Sequence, residues 1–220
     1  VADWMEKLLR KHKFVDIHGQ KGAQKVYGVF RGKTLAVAIL GSEPLNNGFN
    51  MVASHIDSPR VDLKQNPLYQ DGPSQMACMR THYYGGIKKY QWVSTPLALH
   101  GVIVKNDGSL LKISLGEKED EPVFIIPDLL PHLARKEQFA KNLNDAIDAS
   151  KLNLVFSGMV DPAAEEKEAG KAYALKVLNE KFGICEADFL SAELQLVPAI
   201  KARDAGIDNS MVVGYGQDDR

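Results

Sequence analysis

The sequence predicts an α/β fold. An amphipathic helix at residues 2–14 leads into β-rich runs, and a long helical stretch at 165–182 lies between further β-rich runs. The chain has 220 residues, enough for one large domain or two small ones, and 45% of them are hydrophobic.

In the first helix, Trp4, Met5, Leu8 and Leu9 share a stripe, and Asp3 is the expected N-cap. Residues 26–30 and 34–40 are β-rich and are joined by Arg31-Gly32-Lys33, the pattern of a hairpin. Residues 49–54 read as a buried strand that stops at the polar run His55-Ile56-Asp57-Ser58-Pro59. A strand whose end runs into a polar loop is a common place for chemistry in α/β folds. Residues 97–104 and 110–115, with Asn106-Asp107-Gly108 between them, predict a second hairpin. Strands are expected at 123–126 and 193–197. The helix at 165–182 starts after Pro162 and is closed by Gly183. Composition shifts near 92–96 and 201–206 suggest three segments. These are an α/β part at 1–96, an inserted β-rich module at 97–200, and a return to the α/β domain at 201–220.

Charge narrows the function. Lys and Arg number 27 against 28 Asp and Glu, so no basic excess points to nucleic acid. No apolar run approaches the roughly 18 residues of a membrane span. Cys78 and Cys185 are far apart and outside any CxxC pair, which fits reduced structural thiols and a cytoplasmic location. The N-terminus lacks a signal pattern. It also lacks an initiator Met, so the expected true start lies ahead of Val1.

Two short motifs could hold metal. A metal-binding imidazole must be neutral and fixed in one tautomer, and a neighbouring carboxylate that accepts the other ring N–H does this. His55 and Asp57 supply both from one loop, although a bare His-x-Asp is more often a surface histidine in a polar loop. Asp218-Asp219-Arg220 follows an apolar run and a glycine. A short carboxylate at such a junction could bridge two metal ions about 3.5 Å apart, or could simply cap a helix.

Five ordered segments together resemble the aspartyl aminopeptidase / aminopeptidase I family of dinuclear zinc metallopeptidases. They are Ala53-Ser54-His55-Ile56-Asp57-Ser58-Pro59-Arg60, the stretch 81–92 containing Tyr84-Gly85-Gly86, Pro96-Leu97-Ala98-Leu99-His100-Gly101, the stretch Ile126-Pro127 to His132-Leu133, and Tyr215-Gly216-Gln217-Asp218-Asp219-Arg220. The resemblance implies part of an α/β/α zinc-peptidase catalytic domain carrying an inserted dimerisation domain. It implies that His55 is a zinc ligand, that Asp57 orients it, and that Asp218 bridges the two zinc ions, with Asp219 as the fallback. It implies that His132 reaches a neighbouring subunit's active site and helps bind substrate and oxyanion. Read without the resemblance, His132 is a partly buried histidine on an apolar helix.

His82 and His100 are expected to pack or hydrogen-bond, and His12 and His18 to be solvated. The implied cofactor is a pair of Zn2+ ions, and the implied reaction is removal of N-terminal residues, acidic ones among the candidates, from peptide substrates. The implied assembly is a homo-oligomer, dimers building a dodecamer. The family pattern continues with a Glu pair, another Asp and a second His, so two of five ligands are expected here and this chain alone is expected to be inactive. Two other readings remain: a related zinc carboxypeptidase or deacylase, and an assembly fragment whose working part is the dimerisation module.

Overall fold

The computed structural model describes residues 1–19 and 21–216. The chain divides into two compact units, Val1–Asp57 and Ser58–Arg220.

In the first unit, helix α1 (Ala2–Lys11) buries Ala2 and Leu9. Val1, not Asp3, is the N-cap, and Asp3 sits in the first turn, where a negative charge favours the helix dipole. The helix ends three residues earlier than the periodicity suggests because Lys13 turns to φ 64°. Strand β1 (Val15–Asp16) runs parallel to β2 (Lys25–Phe30), which pairs antiparallel with β3 (Thr34–Ile39). The predicted hairpin forms. Arg31 and Gly32 both take positive φ and Lys33 N donates to Phe30 O, a twist that matches paired strands. Buried Tyr27 anchors α1 to β2, its hydroxyl donating to Glu6 Oε1 at 3.1 Å.

The strand expected at 49–54 is not formed. Among the described residues it has no paired strand, and Met51 and Val52 are 76% and 98% exposed. Apolar alternation makes a run strand-prone, but only a hydrogen-bonded neighbour makes it a strand.

The second unit is built on an antiparallel sheet. Its strands are β4 (Arg60–Gln70), β5 (Ala77–Tyr84), β6 (Leu97–Val104), β7 (Leu110–Leu115), β8 (Leu154–Ser157) and β9 (Ala192–Pro198), in the order β7-β6-β9-β4-β5-β8. The β6–β7 hairpin has the expected partners, Val104 opposite Leu110, and Gly108 supplies the positive φ of its turn. Strand β4 shifts register between Leu63 and Leu68, where Pro67 lacks the N–H a ladder needs. The expected strand at 123–126 is reduced to single bridges from Phe124, Ile125 and Ile126 to neighbouring segments.

Short helices α2 (Pro131–Glu137) and α3 (Leu143–Ala146) precede β8. Helix α4 (Ala169–Phe182) covers the sheet with Gly170, Ala174 and Leu178, spaced by four so that they fall on one face. Gly183 closes it at φ 63°. Val61, Met79, Leu99, Leu154, Leu194 and Leu196 form the core beneath it. Lys105 Nζ pairs with the buried Asp188 carboxylate, which also accepts from Cys185 N at 2.8 Å and so closes the turn after α4. Strands β10 (Arg203–Ala205) and β11 (Met211–Val213) make a final small hairpin. No helix among the described residues is long and apolar enough to cross a membrane. Cys78 is buried and Cys185 exposed, and both are free thiols.

Candidate active site

His55 and Asp57 are brought together as the sequence predicts. The ring Nδ1 lies 2.9 Å from Asp57 Oδ1 and 2.9 Å from the Asp57 backbone oxygen. Both partners only accept, so Nδ1 must carry the hydrogen and donate it. In the neutral ring this leaves the lone pair on Nε2, the tautomer a metal ligand needs. The donor chemistry at His55 therefore suits zinc. Among the described residues, no group of three His, Cys, Asp or Glu side chains could hold a metal ion. Asp218 and the fallback Asp219 lie outside the described residues.

The chain leaving this motif is firmly held. Arg60 Nε donates to Asp62 Oδ1 at 2.8 Å, and the guanidinium lies 3.8 Å from the centre of the Tyr84 ring. Gly85, at φ 78°, lets the following turn pass close to Pro59. A cavity of about 610 Å³ opens there in the second unit. Pro59, Lys88, Tyr90, Trp92, Tyr215 and Gly216 are among its walls. Pro59 stands two residues after Asp57, and Gly216 two residues before Asp218. Gly216 adopts φ 64° against Pro198 and Trp92, and a Cβ there would sit 3.1 Å from Pro198 Cδ.

His132 stands in the first turn of α2, after Pro131. It is exposed, as are Leu129, Leu130 and Leu133 around it. The partly buried histidine that the sequence suggested in isolation is thus not what the fold contains. Ala134 is the buried residue of that helix. His82 stacks on Tyr83 at 5.4 Å, and His100 Nε2 lies 2.7 Å from Glu117 Oε1, contacts of the kind expected for both. His12 and His18 are exposed.

Sequence reasoning missed the cavity. Lys88 and Tyr90 fall within a matched segment, but no spacing rule distinguishes a wall residue from a surface one. The pairing of Arg60 with Tyr84 depends on the register of β4 against β5, which the sequence reading did not assign.

Comparison with known proteins places these features in a family. The family pattern described as "Aminopeptidase I zinc metalloprotease (M18)" matches residues 1–220. The "Probable M18 family aminopeptidase 1" of Clostridium acetobutylicum is 53% identical over 200 residues, covering 91% of this chain and 42% of that protein. The crystal structure of an M18 family aminopeptidase from Thermotoga maritima superposes with a TM-score of 0.86 at 43% identity, covering 99% of this chain and 48% of that one. At 20% identity, a structure named as the S. cerevisiae mApe1 dodecamer shares the fold, with a TM-score of 0.60, 96% of this chain and 47% of that one being covered. The chain spans about half the length of the curated relatives it matches.

Proposed function

Because this chain belongs to the aminopeptidase I (M18) family of zinc metalloproteases, we propose that it contributes to a zinc aminopeptidase that removes N-terminal residues from peptides, Asp and Glu among the candidates. The activity is that of a polypeptide of the relatives' length, in which the remaining ligands complete a two-zinc site. The observation that carries the reading is the His55–Asp57 pair, whose geometry selects the metal-binding tautomer.

His55 would hold zinc through Nε2, with Asp57 fixing the ring. Asp218 would be a further ligand of the zinc pair, with Asp219 as its alternative. When bound, the zinc pair supplies Lewis acidity toward the peptide carbonyl and lowers the pKa of water toward neutral.

His132 serves a neighbouring subunit, where its ring donates to the developing oxyanion. Its exposure among exposed leucines supports a place at a subunit contact, since clustered surface apolar groups favour association. The assembly is a homo-oligomer of dimers reaching a dodecamer, and the protein acts in the cytoplasm. Residues 97–200 form the inserted assembly module, and the sheet it belongs to also takes in β4 and β5.

The test is a panel of peptides with free and blocked N-termini, incubated with the full-length protein before and after chelation. Cleavage of free N-termini only, lost with chelator and restored by zinc, is the expected result. Cleavage from the C-terminus or of blocked peptides would overturn it in favour of a carboxypeptidase or deacylase.

A further inference from the structure

The sheet of the first unit ends on a strand that is built like an inner one. In β3 and the residue after it, Leu35-Ala36-Val37-Ala38-Ile39-Leu40 form an unbroken apolar run. A strand with one wet face alternates, whereas a continuous apolar run belongs to a strand covered on both faces. Yet Ala36 and Ala38 on one face are exposed, and Val37 and Ile39 on the other are 45% and 67% exposed. One edge of β3 is open as well among the described residues, since the order of the sheet is β1-β2-β3. Leu40 N donates to Gln24 O at 2.8 Å, so antiparallel alternation turns the N–H and C=O groups of Ala36 and Ala38 toward β2. Those of Leu35, Val37 and Ile39 then face outward. Strand edges that stay in water are usually guarded by a charge, a proline or a bulge. At the edge of the second unit's sheet, β7 has Lys112 in its middle and alternates between exposed and less exposed residues. From Leu35 to Leu40, β3 has none of these guards, and it pairs with β2 in unbroken register. The face bearing Ala36 and Ala38 also holds an apolar hollow of about 350 Å³, lined by Ile17, Gly28 and Phe30 as well.

We propose that β3 is an inner strand of a larger sheet, and that the strand completing it comes from the part of the same polypeptide outside these 220 residues. Length supports this occupant. A chain that spans about half the length of its relatives leaves the other half to supply both a strand and layers over the two faces. A second copy is a poorer fit. Pairing two β3 edges about a twofold axis would satisfy the outward N–H and C=O groups but leave both apolar faces in water. The proposal concerns the sheet and not the chemistry, so it stands or falls independently of the aminopeptidase reading.

The experiment joins amide-resolved hydrogen exchange on the full-length protein to photo-cross-linking from a benzophenone amino acid placed at Ile39. The outward amides of Leu35, Val37 and Ile39 should exchange at least about 100-fold more slowly than in an unstructured peptide, as slowly as the inward amides of Ala36 and Ala38. Cross-linking is done on assemblies formed from a mixture of ordinary and isotope-labelled chains. Adducts should join position 39 to peptides outside the 220 residues, both carrying the same label. Fast exchange of the three outward amides overturns the proposal, and this is read on the unsubstituted protein, where the cross-linker cannot disturb folding. Adducts between differently labelled peptides identify a second copy and overturn it. Adducts confined to residues 49–54 identify this chain's own apolar run as the neighbour and overturn it too.

Discussion

Replacing Asp57 tests the metal reading most directly, and the structure limits how large the effect can be. The His55 Nδ1–H has two acceptors from one residue, the Asp57 carboxylate and the Asp57 backbone oxygen, each at 2.9 Å. The backbone oxygen survives any substitution. In Asp57→Asn the amide oxygen also remains available, so the tautomer of His55 is retained and only the negative charge is lost. Loss of a partner outside the ligand shell commonly weakens metal affinity by about 10–100-fold. Here the retained acceptors place Asp57→Asn near the lower end, about tenfold. Asp57→Ala should weaken zinc somewhat more, since the side-chain acceptor is then removed altogether. Calorimetric titration of zinc into the metal-free, full-length protein measures both. An affinity unchanged in both variants refutes the orienting role. A complete loss of binding in Asp57→Asn also refutes the reasoning, because it would mean that the carboxylate is itself a ligand.

Three further outcomes are expected. His132→Ala should lower kcat about 100-fold with zinc content unchanged, the usual effect of losing an oxyanion donor; an unchanged kcat removes that role. Gly170→Ala should destabilise the protein by about 2 kcal/mol in denaturant unfolding, because overlap outweighs the roughly 1 kcal/mol that alanine adds to a helix. The new Cβ would lie 1.9 Å from Gln75 O. Glu121 should titrate at about 2, below its ordinary 4.5, held down first by Lys118 Nζ and also by the backbone N–H groups of Lys118, Glu117 and Gly116. A depressed folded pKa stabilises the fold fully above the ordinary value, and that contribution fades as pH falls from about 4.5 toward 2. Carboxyl-carbon NMR titration of Glu121 checks it, and a midpoint at its ordinary value would show the turn at 116–121 to be open in solution.

Local signals were legible wherever a short segment determines its own structure. Gly32 marks its hairpin because it takes a positive φ at no steric cost between two β-rich runs. Gly183 marks the end of α4 because a left-handed cap favours glycine. The His55–Asp57 pair was readable for the same reason, since both members lie in one loop two residues apart. The hairpin of β4 and β5 was not read. Its polar stretch Lys64-Gln65-Asn66 breaks the alternation just where the register shifts, so the period-two pattern is interrupted at its centre. The exposure of His132 was illegible for a different reason. Leu129, Leu130 and Leu133 read as core by composition, yet α2 presents only Ala134 to the interior. Composition reports how apolar a face is, not whether its neighbour belongs to the same chain.

That distinction also bears on residues 49–54. Their apolarity matches that of core strands such as β6, whose Leu97, Ala98 and Leu99 are buried, yet Val52 is almost wholly exposed. Burying Val52 from this state would contribute about 1.5–3 kcal/mol, the usual worth of one such side chain. A segment with this much unrealised burial, directly preceding His55, connects the geometry of the proposed ligand to whatever covers the run. Zinc affinity at His55 should therefore depend on the packing of residues 49–54 as well as on Asp57. Val52→Asp in the full-length protein should weaken zinc binding in the same calorimetric titration while leaving the His55–Asp57 pair chemically intact. An affinity equal to that of the unsubstituted protein would show that the loop holds its ligand geometry without support from the run before it.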